Sequence, residues 1–455
     1  MIYKIIIQNF QLIKNEFFLG PQILKSKVIS IFREAIKFAH PNFLLNNKIT
    51  LLDEGKLIIN DEIINFKDKI KLLAFGKAAG SMSEALLKMN GFNNIIEGII
   101  VLPDYSPKPK IEHPNIKIIH STHPYVTKKS VSAGKQLLSF ANKCTKDETV
   151  FCLVSGGGSA LVASPIDGIN VNEKIKLINL LIKLGIGERE VNIIRKKLSN
   201  IKGGSLAERL FPSNIVNLII SDEREHQLEA IASGPTIKNS SNVTAEEIIN
   251  ENNLWPHIPN HFQHIFKQKI DYKSNPDLNI NSFVIGSRVD LFNGIQTVSE
   301  KNNNIDLKII NHFFDSDIHY LRKELIHNYK NFFVNAKEGK HLIVASGEVP
   351  IQISSSNAKG GRNQHLAALI ANDLSQFSNF EFLAISSDGC DFINGVHGAL
   401  ITDNHISIIN KLSINIDDYL KNFNSFYFHE KIGSLIKGPM TGTNVNDFYL
   451  FYFEK

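Results

Sequence analysis

The chain has only three cysteines in 455 residues, Cys144, Cys152 and Cys390, too few and too scattered for a disulfide framework or a CxxC metal site. Such usage suits a reducing compartment. No segment approaches eighteen uninterrupted apolar residues, which argues against a membrane-spanning helix. No block of five or six basic residues stands out, so a formal net charge of +5 leaves no footprint for nucleic acid. Four motifs are missing as well: the GxxxxGK[ST] loop, a strand–GxGxxG–helix fingerprint, HExxH and the GxSxG elbow. Their absence excludes a P-loop kinase, a standard nicotinamide site, a zinc peptidase and a serine hydrolase of the elbow type. Residues 1–21 are apolar in character, but Gln8, Asn9, Lys14 and Glu16 interrupt them and no small-residue cleavage site follows. They read as an N-terminal extension of a cytoplasmic protein.

What is present is an ordinary globular composition, 43% hydrophobic and 21% charged, over a length that predicts two or three domains. The organising stretch is Val150–Ala163, VFCLVSGGGSALVA. An apolar run followed by three glycines between two serines predicts a buried strand ending in a tight loop. Lacking Cβ atoms, Gly156, Gly157 and Gly158 let the main chain pass close to a bulky oxyanion, as in a phosphate cradle. An ordinary glycine turn at a strand end uses the same residues.

Upstream, apolar residues from Gln22 to Leu44 recur at helical spacing and predict an amphipathic helix, whereas residues 46–68 are irregular with short strand-like pieces. Ile70–Phe75, Gly76 and Ala78–Met89 read as strand, turn and helix. Lys77 stands at the turn, where it can meet a phosphate or carboxylate. Ile95–Leu102 and Ile116–Ile119 are further strands, the second running into His123-Pro124 and a helix over Ser130–Phe140. This alternation predicts a Rossmann-like, doubly wound parallel sheet with ligands beyond the carboxyl ends of its strands. Lys77, His123 and Ser155–Ser159 all fall at such ends.

Asn172–Leu184 and Glu188–Leu210 read as helices, the second broken at Gly203-Gly204 and carrying Arg195, Lys196, Lys197 and Lys202 as a cationic edge. Asp222, after the strand Ile215–Ile220, suits Mg²⁺, which is usually held by one or two carboxylates plus phosphates. Residues 237–280 are polar and without period, and the domain connection is expected there. A second α/β domain restarts with a strand over Asn281–Gly286 and a helix over Asp290–Lys301, then mixes helix and polar loop over Asn311–Asn335. The strand Leu342–Ala345 ends in Ser346-Gly347-Glu348, and Arg362 opens a helix, placed either to bind an anion or to cap a loop. Phe380–Ser387 leads into Asp388 and Asp391, and an alternating aromatic strand closes the chain. That last strand completes the second sheet or packs back on the first domain. The expected domains are residues 22–260 and 281–455.

Taken together, GKAAGSM (Gly76–Met82), THPYV (Thr122–Val126), LVSGGGSALVASP (Leu153–Pro165), RKKLSNIKGGSLA (Arg195–Ala207) and IASGPT (Ile231–Thr236) resemble the glycerate 2-kinase family. SGE (Ser346–Glu348), GGRNQHLA (Gly360–Ala367), SDGCD (Ser387–Asp391) and GPMTGTNVND (Gly438–Asp447) extend the resemblance into that family's C-terminal MOFRL domain. The resemblance implies two α/β domains with an active site in the cleft between them, and ATP-dependent phosphorylation of glycerate on its 2-hydroxyl. On it, Lys77 and Arg362 are catalytic, and Asp388 orients the attacking hydroxyl or helps hold Mg²⁺. Ser155, Gly156, Gly157, Gly158 and Ser159 hold nucleotide phosphates, with Gly347, Glu348, Thr441, Thr443 and Asn444 lining the same cleft. Arg195 or Lys202 clamps the substrate carboxylate, and Asp222 is the other metal candidate. A lysine, an arginine and Mg²⁺ around one phosphate are sufficient equipment for phosphoryl transfer.

Two departures stand beside these matches. Glu225 and His226 replace the family's Gly-Asp before IASGPT, and Phe392, Ile393 and Asn394 replace its Gly-Pro-Thr after SDGCD. They keep open a catalytically weakened binding protein as an alternative. A hydroxypyruvate reductase ranks lower for want of a nicotinamide fingerprint. The expected partners are the small molecules glycerate and ATP, with no nucleic acid and no membrane; a homodimer stays open.

Overall fold

A computed structural model describes residues 26–53, 55–92, 95–223, 227–238, 243–268, 277–301, 305–351, 353 and 358–455. The N-terminal extension and the Glu225-His226 replacement therefore lie outside the described residues. The described residues divide into two compact units, one within 38–290 with 442–445, the other within 26–37, 291–441 and 446–455.

In the first unit, β1 (Ile49–Asp53), β2 (Lys56–Ile59) and β3 (Glu62–Asn65) form a small antiparallel sheet from the stretch whose sequence reads as irregular with short strand-like pieces. The main sheet holds β4 (Lys69–Phe75), β5 (Ile95–Pro103), β6 (Ile116–Ser121), β7 (Glu148–Ser155), β8 (Asn214–Ile220) and β9 (Ile280–Gly286). All neighbours are parallel, in the order β6-β5-β4-β7-β8-β9. Every residue of β7 is buried, as expected of a parallel strand covered on both faces. Its side chains join a core of Leu73, Phe75, Val101, Leu137 and Leu206. The order reverses between β4 and β7, the first strand and the fourth, which is the doubly wound arrangement with its switch point there. The expected parallel sheet is thus present, and the loops after β4 and β7 sit side by side at the point where such folds bind ligands.

The second unit has a mixed sheet of β10 (Asp306–Phe314), β11 (Lys340–Gly347), β12 (Phe380–Ser386), β13 (Val396–Thr402), β14 (Leu435–Lys437) and β15 (Asp447–Glu454), in the order β10-β11-β15-β12-β13-β14. Only β10 and β11 are parallel. The aromatic strand at the chain end is central to this sheet, and Phe451 packs on Phe382 and Tyr329.

Several boundaries differ from those read in the sequence. Ile280–Gly286 is an edge strand of the first sheet, because its partner β8 lies 65 residues upstream where local pattern cannot reveal it. The expected long helix over Gln22–Leu44 is two helices, Lys27–Ala35 and Pro41–Lys48, since Pro41 starts a new one and His40 Nδ1 accepts from Asn42 N at 3.3 Å. The first of these belongs to the second unit, where Glu381 accepts from Ser26 Oγ at 2.6 Å and Val28 N at 2.9 Å and so caps its N-terminus. The break after Lys197 spans residues 198–204, and Lys202 lies in that turn.

Candidate active site

At the rim of the first unit the Gly76-Lys77 turn is tied to the glycine loop by two backbone donors. Lys77 N donates to Gly156 O at 2.9 Å and Ala78 N to Ser155 Oγ at 3.0 Å. The loop is glycine because other groups occupy the space a side chain would need. A Cβ on Gly156 would lie 1.5 Å from Asp222 Oδ2 and 2.2 Å from Asn444 Nδ2, and one on Gly157 3.1 Å from Lys77 Cγ and 3.0 Å from His123 Cδ2. Asp222 Oδ2 accepts from Asn444 Nδ2 at 2.8 Å, so Asn444, although near the chain end, belongs to this rim. Lys77, His123, Asp222, Asn444 and Ser155–Gly157 are therefore brought together.

At the far end of the same loop Ser159 Oγ shares a hydrogen bond with Lys202 Nζ and another, at 3.1 Å, with Ser233 Oγ. Burial and the neighbouring Arg195 charge push the Lys202 ammonium down to about 7. Lys174 donates to the Arg195 and Leu198 carbonyls at 3.0 and 2.7 Å, and burial, Lys202 and Arg195 lower its pKa well below the ordinary value. Lys174, Arg195 and Lys202 thus gather basic side chains beside the Ser159 and Ser233 hydroxyls, and an anion placed there would restore the ammonium charges that burial disfavours.

In the second unit Arg362 opens the helix Arg362–Leu374 and faces two acids. Its Nε bonds to Asp447 Oδ2, and its NH2 donates to Glu348 Oε1 at 2.8 Å. Burial works against the guanidinium charge, but Asp447 and Glu348 outweigh it and hold the pKa well above the ordinary value. The buried Asp391 carboxylate caps the same helix, accepting from Asn363 N at 3.0 Å and Gln364 N at 2.9 Å.

Two family models match the chain. A domain of unknown function, DUF4147, covers residues 27–267, and the MOFRL family covers residues 341–447. A glycerate 2-kinase of Pyrococcus horikoshii is 30% identical over 91% of this chain and 93% of its own length. The chain belongs to the glycerate 2-kinase family. A D-glycerate 2-kinase of Thermotoga maritima is 26% identical, over 94% of this chain and 98% of its own. The crystal structure of a glycerate kinase from Thermotoga maritima superposes with a TM-score of 0.77 at 25% identity, covering 96% of this chain and all of that one.

Within this family member, some residues expected to touch ligands are occupied in other ways. Asp388 is fully buried, and its Oδ1 accepts from Ser386 Oγ at 2.8 Å and Cys390 N at 2.7 Å, shaping its own loop. Among the described residues no group of three or more His, Cys, Asp or Glu could hold a metal, so neither Asp222 nor Asp388 sits in an acidic cluster. Thr443 is buried and donates to Ala39 O at 2.6 Å, Thr441 Oγ1 bonds to Ser387 O, and Gly347 ends β11. Glu348 meets Arg362. Sequence reading missed Asp447 and Ser233 as members of these groups. Asp447 ends the GPMTGTNVND motif, and Ser233 lies inside IASGPT, so the motifs themselves were the available signal.

Proposed function

We propose that this protein transfers the γ-phosphoryl group of ATP to the 2-hydroxyl of glycerate, giving 2-phosphoglycerate and ADP. The observation that carries this reading is the junction of the Gly76-Lys77 turn with the Ser155–Ser159 loop at the switch point of the parallel sheet. A glycine-lined rim with a lysine beside it suits nucleotide phosphates. The same strand order serves dinucleotide-binding folds, but here the turn after β4 reads GKAAGS, with Ala78 where the G-x-G-x-x-G fingerprint has the glycine that lets the backbone approach the pyrophosphate.

In this reading Lys77 holds the transferring phosphate and the Ser155–Gly158 backbone holds the remaining phosphates. Arg195 and the turn bearing Lys202 face the glycerate carboxylate. Arg362, kept charged by Asp447 and Glu348, offsets charge developing in the transition state. Asp388 keeps its loop in shape and acts as a positioning residue. Asp222 fits Mg²⁺: a single carboxylate at the glycine loop plus substrate phosphates is a usual donor set for that ion. When bound there, Mg²⁺ would neutralise phosphate charge.

The test is purified protein with ATP, Mg²⁺ and D-glycerate, coupled to enolase without phosphoglycerate mutase, beside Lys77→Ala. Enolase consumes only 2-phosphoglycerate, so a signal reports transfer to O2. A wild-type signal that falls at least about 100-fold in Lys77→Ala supports the assignment. ADP formation without enolase signal would reject glycerate O2 as the acceptor.

A further inference from the structure

Ser159 and Lys202 come from different segments, the end of the glycine loop and the turn after the helix Glu188–Lys197, yet their polar atoms meet. The contact is built from several sides. Ser233 Oγ lies 3.1 Å from Ser159 Oγ and donates to Asn192 Oδ1 at 3.3 Å, so the serine hydroxyl sits in a chain of neutral polar groups. Lys202 N donates to Ser199 Oγ at 3.3 Å, and the next two backbone donors, Gly203 N and Gly204 N, bond to Ser233 O at 2.9 Å and Gly234 O at 2.8 Å. The turn is thereby fixed against IASGPT.

The groups facing Lys202 are the Arg195 guanidinium and Lys174, itself pushed well below its ordinary pKa, while the adjacent Lys196 lies against Gly203 and interacts with Glu229. A lysine placed to clamp a carboxylate gains from remaining charged. Buried beside the Arg195 charge, Lys202 is instead poised near neutrality, the condition of a proton acceptor working at physiological pH.

We propose that Ser159 and Lys202 form the proton-accepting relay for the substrate hydroxyl, with Arg195 left to bind the substrate carboxylate. This rests on the reading of the protein as a kinase of a hydroxy acid. As the substrate oxygen forms its bond to the γ-phosphorus and the bond from that phosphorus to the β–γ bridging oxygen breaks, the substrate hydroxyl proton passes to Ser159 Oγ. The Ser159 hydroxyl hydrogen, which points to Ser233 Oγ while Ser233 donates to Asn192, turns to Lys202 Nζ in its neutral form and passes to it; Lys202 becomes ammonium and later returns a proton to solvent. ADP leaves with the electron pair of the broken bond, and no further reactant is needed. The placement suits the task, because Ser159 ends the loop that begins at Ser155, and Lys77, assigned above to the transferring phosphate, is tied to the same loop through its N–H to Gly156 O.

Lys202→Arg separates a base from a clamp, since arginine keeps the charge but does not accept a proton at neutral pH. With a relay, wild-type kcat rises with pH through an acid limb centred near 7, and Lys202→Arg lowers kcat about 100-fold and removes that limb. Ser159→Ala lowers kcat by a similar factor while leaving the KM for the hydroxy acid within about twofold. A clamp predicts the opposite: Lys202→Arg keeps kcat and the limb and changes only KM, which would overturn the proposal. A second readout needs no turnover. In protein labelled with ¹³C at lysine Cε, one signal should titrate near pH 7, move in Ser159→Ala and vanish in Lys202→Arg. A Lys202 signal that stays charged above pH 9 would refute the relay. If no 2-phosphoglycerate forms but the signal still titrates near 7, the glycerate assignment fails and the Ser159–Lys202 acceptor pair stands.

Discussion

Arg362 bonds to Asp447 85 residues further along the chain and to Glu348 14 residues before it, so the one arginine of the GGRNQ loop is set between two carboxylates. Asp447 is buried and Arg362 is its charged neighbour, which makes the pair sensitive to losing one member. Arg362→Met should destabilise the protein by about 3–5 kcal/mol, because it leaves Asp447 buried without that cation. Adding Asp447→Asn should recover part of the loss, with a coupling of about 1–3 kcal/mol in a double-mutant cycle read by urea unfolding. Simple additivity of the two changes would show that the contact carries no stabilisation.

Gly156→Ala tests the packing of the loop. Its Cβ would fall within bonding distance of Asp222, so the Asp222–Asn444 pair has to separate. ATP affinity measured by calorimetry should drop about tenfold or more, with a lowered Tm. Gly187→Ala is the control, since its Cβ would meet only Glu190 Oε2 at 3.5 Å. Equal effects of the two substitutions would remove Asp222 and Asn444 from the account.

The parts legible in sequence were those whose causes are local. An apolar run before three glycines made β7 and its loop visible, and the Gly76-Lys77 turn followed from the same pattern. Pairings across long separations were not legible. Ile280–Gly286 has a clear strand pattern, yet nothing in it says that it joins β8 rather than opening a new sheet. Asp447 and Asp391 are ordinary aspartates in sequence, and only the fold brings the first to Arg362 and the second to the helix Arg362 begins. Asp388 shows the converse, because its place after a strand reads as a ligand while its carboxylate serves the turn it belongs to.

Asp222 and Asp388 should separate in their response to Mg²⁺. If Asp222 is the protein ligand, Asp222→Asn raises the Mg²⁺ concentration for half-maximal rate about tenfold or more and leaves Tm in EDTA close to that of the wild type. Asp388→Asn alters the carboxylate that accepts from Cys390 N and Ser386 Oγ, and should lower Tm with or without Mg²⁺. A Mg²⁺ shift confined to Asp388→Asn would move the metal to the second unit.

Asp391 makes the stability of the second unit depend on pH. Burial, helped by Asp447, pushes its carboxyl up to about 6 against the hydrogen bonds from Asn363 and Gln364. The folded state therefore binds this proton more tightly than the unfolded chain does. Its contribution is complete below the ordinary carboxyl range near pH 4 and is lost as pH rises through 6. Asp391→Asn removes the titration and also disturbs the cap, since an amide presents only one oxygen to donors that now meet two. Its Tm should lie below wild type throughout. The gap should narrow by about 2–3 kcal/mol of stability between pH 4 and pH 7, as the wild type loses what the variant never had. Thermal melts of both proteins across that range decide the matter, and a gap that widens with rising pH would mean that the helix N-terminus, rather than burial, sets the state of this carboxyl.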